Sequence, residues 1–102
     1  MVGAVALLAP DEPTRAIAID DEAELARLVV SSTARRQGIG RALAECCAAL
    51  AREHDWTAIS LWSRPYQTAG HRLYESLGYE RQPQRDEVDE TGFGRLVFRL
   101  DL

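Results

Sequence analysis

Two glycines one residue apart, Gly38 and Gly40, follow the basic pair Arg35-Arg36 and open a run with helical periodicity. Glycine lets a chain turn sharply and brings backbone N–H groups close to a ligand with no Cβ in the way. The first turn of a helix carries N–H groups without intrahelical partners at the positive end of its dipole. The stretch Arg35-Arg36-Gln37-Gly38-Ile39-Gly40 therefore reads as a backbone cradle for phosphate oxygens. Other chemistry-bearing residues offer less. His54 and His71 lack the spacing of metal ligands, so no metal site is expected. Cys46 and Cys47 are adjacent in the predicted helix and point about 100° apart, a poor geometry for a mutual disulfide. Both read as small core residues in a reducing compartment.

Three phosphate cradles compete for the glycine loop. A Walker loop requires a lysine, and the chain has none. A dinucleotide fingerprint requires a third glycine where Leu43 stands, directly after a strand. Here Ser31 to Arg36 separate the preceding apolar run from Gln37, and the fit is poor. The third, a cradle for the pyrophosphate of an acyl-coenzyme A, is what a family resemblance of Arg35 to Gly40 and of a second stretch downstream implies.

The elements that must position this loop follow from periodicity. Gly3 to Leu8 is a short β-compatible run, and Pro10 to Pro13 is a turn. Thr14 to Ile19 alternates with period two and reads as a second strand, in a hairpin with the first. Glu24 to Val30 is the third strand, its Leu28-Val29-Val30 end apolar enough to be covered on both faces. Ile39, Ala42, Leu43, Cys46 and Leu50 mark one face of a helix reaching about His54. A strand over 57–63 with Trp62 in the core, a helix over 68–77 closed by Gly78, a short strand over 79–82 and a final strand over 95–100 complete the chain. The predicted order is β-β-β-α-β-α-β-β, an α+β fold with a mixed sheet. Its central crossover from strand 23–30 to strand 57–63 is parallel and right-handed.

Residues Arg35-x-x-Gly38-x-Gly40 resemble the Arg/Gln-x-x-Gly-x-Gly/Ala motif of the GNAT N-acetyltransferase superfamily. Downstream, Leu73-Tyr74-Glu75-Ser76-Leu77-Gly78-Tyr79 is similar to that family's Leu-Tyr-Glu-x-Leu-Gly-Phe/Tyr signature. The resemblance covers about residues 23 to 82 and both closing strands. It implies one acyl-CoA N-acyltransferase-like domain over 1–102, with acetyl-CoA as donor. It also implies that the chain opens at the family's second strand, without the strand and helices that normally wall the acceptor site. Backbone N–H groups from Gln37 through Gly38, Ile39, Gly40 and Arg41 to Ala42 would bind the pyrophosphate. Arg35, Arg36 and Arg41 would add charge, although Arg41 reads equally as a solvated helix residue. The strand 23–30, which in the family splays from its neighbour near strand 57–63, would hydrogen-bond the pantetheine arm like an added strand, and N–H groups near Leu28, Val29 and Val30 would polarise the thioester carbonyl. Gln67 stands where the family often has an Asn that contacts the cofactor.

Two residues take catalytic roles under the resemblance. Tyr74 holds the position of the general acid for the leaving thiolate. The alternative is an amphipathic core residue. A phenol near pKa ~10 giving its proton to a thiolate near ~8.5 works uphill by roughly 2 kcal/mol, so a hydrogen bond to sulfur would serve nearly as well. Glu24 falls where some members carry a strand glutamate used as base. Its alternative is an exposed carboxylate at a strand start. His71, three residues before Tyr74, either lines a pocket or lies on the surface. The acidic cluster Asp86 to Glu90 is either a solvated loop or an attractor for a cationic amine.

Composition narrows the partners. The net charge is −4 with no dense basic patch, which argues against nucleic acid. No apolar run approaches the ~20 residues of a membrane span, and Val2 to Ala9 lacks the basic lead-in of a signal peptide. A cytoplasmic location is expected. All 12 cations are Arg, and Asn is absent, a bias read as a GC-rich, bacterial genome. The expected acceptor is a small-molecule or peptide amine, and a missing acceptor wall would favour a homodimer. A coenzyme A-binding domain without transferase activity and an incomplete fragment of an enzyme are the competing readings.

Overall fold

The computed structural model describes residues 3–31 and 38–102. Their order is β1 (Gly3–Leu8), β2 (Glu22–Val30), α1 (Ile39–Glu53), β3 (Ala58–Ser63), α2 (Thr68–Ser76), β4 (Glu80–Arg81), a 3-10 turn (Pro83–Arg85), β5 (Glu87–Val88) and β6 (Gly94–Asp101). The sheet runs β1-β2-β3-β6-β4, and β5 forms a short hairpin with β6. β2 and β3 are parallel across α1, and the other pairings are antiparallel. This is the α+β mixed sheet that the sequence predicts.

The predicted strand over Thr14 to Ile19 does not form. That segment is an irregular loop, and β1 pairs instead with β2, from Gly3↔Val30 to Leu8↔Glu24. The reason is a competing set of acceptors. The amide N–H groups of Ala16, Ile17 and Ala18 donate to the Glu24 carboxylate at 2.9, 2.7 and 2.8 Å, and that of Ile19 donates to Glu22. A ladder partner for these amides is replaced by two side chains.

The helices cover one face of the sheet. Ala23 and Leu25, Ile59 and Leu61, and Phe98 and Leu100 form the core with Ala44, Cys47, Ala48, Ala51, Tyr74 and Tyr79. The buried face of α1 differs from the predicted one. Ala44, Cys47, Ala48 and Ala51 are buried, while Ala42, Cys46 and Leu50 are exposed. Both stripes have helical spacing. Small side chains let the helix axis approach the sheet closely, so fit rather than side-chain size selects the face. Burial pushes the Cys47 thiol above its ordinary range, as expected for an unreactive core thiol.

Both helices close with the same backbone device. After α2, Gly78 (φ 98) takes the left-handed region; Gly78 N–H donates to the Glu75 carbonyl and Tyr79 N–H to that of Tyr74. After α1, Asp55 (φ 57) does the same, with Asp55 N–H to Arg52 and Trp56 N–H to Ala51. The Gly78 stop was legible in the sequence. It fixes where Tyr74 sits on the last turn.

On the opposite face of the sheet, period two places Glu22, Glu24 and Ser60, all buried. Glu22 accepts from Arg85, Arg99, Ser60 Oγ and the Ile19 amide. Arg85 also donates to the Ile17 carbonyl at 2.8 Å. This polar layer ties the 9–21 loop to the sheet.

Candidate active site

The site begins where two neighbouring strands part. β2 and β3 pair only over Glu22↔Ala58, Ala23↔Ile59 and Glu24↔Ser60, although β2 continues to Val30 and β3 to Ser63. The cause lies on the other edge of β2. Its register with β1 steps from Ala6↔Ala26 to Ala4↔Val29, so that Arg27 and Leu28 both face Val5. This is a β-bulge, which bends the strand that carries it. Arg27 takes φ 55, the left-handed region that a side chain disfavours by about 1–2 kcal/mol. Beyond Glu24 the facing edges of β2 and β3 make no ladder with each other, and a cavity of about 600 Å³ opens between them. Unpaired main-chain donors and acceptors along such a gap await an extended ligand.

The N-terminus of α1 closes one end of this cavity. Gly38 is the N-cap, with φ 75, and no side chain caps the helix. No acidic residue lies in the first turn, so the positive end of the helix is left for an outside anion. A Cβ added at Gly40 would meet Leu73 Cδ2 at 3.4 Å and Val30 Cγ2 at 3.6 Å, which makes Gly40 the point where α1, α2 and β2 converge. Arg41 is exposed and turns away to Ser76 Oγ, at 2.5 Å, and Glu45. The Ala42 amide donates to the Gly38 carbonyl at 3.0 Å. It is therefore satisfied within the helix, which corrects the expectation that it is free to bind phosphate. Arg35, Arg36 and Gln37 lie outside the described residues.

α2 supplies the phenol. Tyr74 is 9% exposed, packs against Phe98 and Tyr79, and lines the cavity. Among the described residues its hydroxyl has no hydrogen-bond partner, yet it is not a sealed atom. The ring packs in the core, and the residue lines the gap. Burial pushes its pKa above the ordinary phenol value. Gln67, the N-cap of α2, lines the same cavity, but its carbonyl oxygen is held by Ser63 Oγ at 3.0 Å and by the Arg64 amide at 2.8 Å. Its amide group remains for a ligand. His71 Nε2 lies 2.9 Å from the Arg64 carbonyl, and its ring packs on Phe98, so this histidine braces the turn before α2.

The geometry coincides with a family model. The model of the acetyltransferase (GNAT) family matches residues 1–79. The chain belongs to the GNAT family. N-acetylaspartate synthetase of Rattus norvegicus is 35% identical over 98% of this chain and 33% of its own length, and the Homo sapiens protein is 35% identical over 98% and 32%. N-acetyltransferase 8 of Homo sapiens is 32% identical over 82% of this chain. The chain thus spans about a third of the length of these relatives. Among solved structures, the NatC complex bound to Gag peptide and CoA superposes with TM-score 0.82 at 19% identity, over 99% of this chain and 61% of that one. The ribosomal-protein-S18-alanine N-acetyltransferase from Escherichia coli superposes with TM-score 0.66 at 27% identity, over 81% and 56%.

Within this GNAT domain, Glu24, Leu28, Val30, Gly40, Gln67 and Tyr74 of the residues expected from sequence converge on the cavity. Val29 is 61% exposed and points out of it, against the expectation of a strand covered on both faces. Glu24 is neither an exposed carboxylate nor a free one: it is 2% exposed and bound by three loop amides. Arg27, Thr14, Ala16 and Arg64 also line the cavity and were missed. A bulge leaves no period-two signature, and the loop position of Thr14 and Ala16 depends on a contact eight residues away.

The acidic cluster is largely tied down. Asp86 pairs with Arg81, Glu87 with Arg95, and Asp89 with Arg64 and Arg95. Hydrogen bonds from the Thr91 hydroxyl, then from Arg64, hold the Asp89 carboxyl below the usual range. Trp62 is half-buried rather than core, with the guanidinium groups of Arg64 and Arg95 4.7 and 4.8 Å from its ring centroid. Among the described residues no helix is long and apolar enough to cross a membrane.

Proposed function

We propose that this domain transfers an acetyl group from acetyl-CoA to a primary amine by direct attack of the amine on the thioester. The observation that carries the reading is the parting of β2 and β3 beside an uncapped helix N-terminus, with Tyr74 lining the gap. The residues fit the donor. The open N–H groups at the start of α1 suit its pyrophosphate, and the free edge of β2 from Leu25 to Val30 suits its amide-bearing arm. Acetyl-CoA would supply a carbonyl open to nucleophilic attack and a thiolate that leaves.

This chain's residues then have three tasks. Backbone N–H groups at the β2 bulge would stabilise the negative charge that develops on the carbonyl oxygen. Tyr74 donates a hydrogen bond to the departing sulfur. Because burial raises the phenol further, complete proton transfer costs more than the roughly 2 kcal/mol between unperturbed groups. Hydrogen-bond stabilisation is therefore the assigned role. Glu24, wrapped by amides, is read as the anchor of the loop that walls the acceptor side, and the amine gives its proton to water.

The relatives named above include N-acetylaspartate synthetases and an enzyme acting on an alanine of ribosomal protein S18. They support an amino acid or peptide amine as acceptor. Thermal-shift titration with acetyl-CoA tests donor binding, and thiol release in the presence of amines tests transfer. A saturable rise in unfolding temperature with amine-dependent thiol release is expected. Binding without any release would leave a coenzyme A-binding domain in its place.

A further inference from the structure

Three charged residues line the cavity: Glu24, Arg27 and Arg64. The charge of Glu24 is compensated by the amides of Ala16, Ile17 and Ala18. Arg64 is paired with Asp89 at 2.7 Å, donates to the Gly94 carbonyl and lies over Trp62. Arg27 has neither an ion pair nor a hydrogen bond among the described residues. It is also the residue that the bulge holds at φ 55, a conformation a glycine would adopt with less strain. An arginine kept at such a place, with its fork of donors unengaged beside the parted strands, suits a planar anion. In the acidic cluster over 86–90, Asp86, Glu87 and Asp89 are already paired with arginines.

We propose that Arg27 is a specificity-determining residue that binds a carboxylate of the acceptor, so that the preferred acceptors are amino acids carrying a free carboxylate. This rests on the transfer reading above, in which the donor meets the backbone of β2 and the start of α1 and leaves the Arg27 side chain to the acceptor. The guanidinium fixes the carboxylate, and the amine attached to the same small molecule is directed toward the gap.

The test uses L-aspartate, L-alanine and L-alaninamide, which carry two, one and no carboxylates, with the full chain and its Arg27→Gln variant. kcat/KM is expected to fall along the series. The less basic amine of alaninamide biases against that order, which makes the comparison conservative. Arg27→Gln should raise the KM for aspartate about ten- to a hundred-fold, leave the KM for acetyl-CoA unchanged, and erase the preference over alaninamide. Arg27→Lys should restore part of it. An unchanged unfolding temperature of the Gln variant separates lost recognition from lost fold. Equal use of alanine and alaninamide, or a preference that survives Arg27→Gln, overturns the proposal. A rise in the KM for acetyl-CoA instead would assign Arg27 to the donor and also overturn it. Should no amine be acetylated, the transfer reading fails by itself. The acceptor proposal is then decided by calorimetric titration of aspartate into the coenzyme A-bound protein: binding lost in Arg27→Gln supports it, and no binding refutes it.

Discussion

At the scale of single residues, Tyr74 and Glu24 divide the roles that a sequence motif would give them jointly. The Tyr74 ring is packed while its hydroxyl has no partner within the described fold. Tyr74→Phe should therefore leave the unfolding temperature unchanged and lower kcat about ten- to a hundred-fold, with little change in the KM for acetyl-CoA. Steady-state kinetics with a melting curve checks both halves. Glu24 predicts the opposite pattern. Glu24→Gln keeps an oxygen for the Ile17 and Ala18 amides but turns an NH2 group toward that of Ala16, and about 1–3 kcal/mol of stability should be lost through that one orphaned amide. Faster hydrogen exchange at Ala16 to Ala18 would report the released loop. If Glu24 were instead the base, its variant would keep slow exchange at those amides and lower kcat.

At the scale of elements, the bulge in β2 and the glycine start of α1 set the width of the cavity. Gly38, at φ 75, has open space where a Cβ would stand, so Gly38→Ala costs only the left-handed penalty of about 1 kcal/mol in a denaturation curve. The same substitution should weaken acetyl-CoA binding, because the turn aims the first helical amides. Much of this level was legible beforehand. The strand-glycine-helix run marked the start of α1, the Leu73 to Tyr79 stretch marked the turn that carries Tyr74, and Gly78 fixed the close of α2. What escaped was non-local. Thr14 to Ile19 has the alternation of a strand, but Glu22 and Glu24 capture its amides. Ile39, Ala42, Leu43, Cys46 and Leu50 have the larger side chains of α1, but the smaller stripe through Ala44 and Ala51 fits the sheet. Periodicity reports that a face is apolar, not which of two apolar faces fits.

At the scale of the whole molecule, the parted sheet is held on its far side by charge. Burial alone would raise the Glu22 carboxyl, but hydrogen bonds from Arg85, Ser60, the Ile19 amide and Arg99 outweigh it and bring it down to about 2. The unfolded carboxyl protonates near 4.5 and the folded one near 2. The unfolded state therefore binds more protons between these values, and stability falls as pH drops through that window. The contribution, present above about pH 5, is on the order of 3 kcal/mol. Glu22→Gln should flatten the stability profile between pH 5 and about 2 in denaturant titrations, and an unchanged slope would remove Glu22 from this role. The same network ties the 9–21 loop to the sheet through Arg85, so acid should loosen that loop before the helix-side core unfolds.

The central claim is that the gap between β2 and β3 brings an amine to a thioester. Its most direct measurement is release of free thiol from acetyl-CoA by the full chain, with the acetylated amine quantified by mass spectrometry in the same samples. The account predicts amine-dependent thiol release matched one for one by N-acetylated product, and lowered by Tyr74→Phe. Thiol release independent of the amine, or saturable acetyl-CoA binding with no acetylated product, would contradict it.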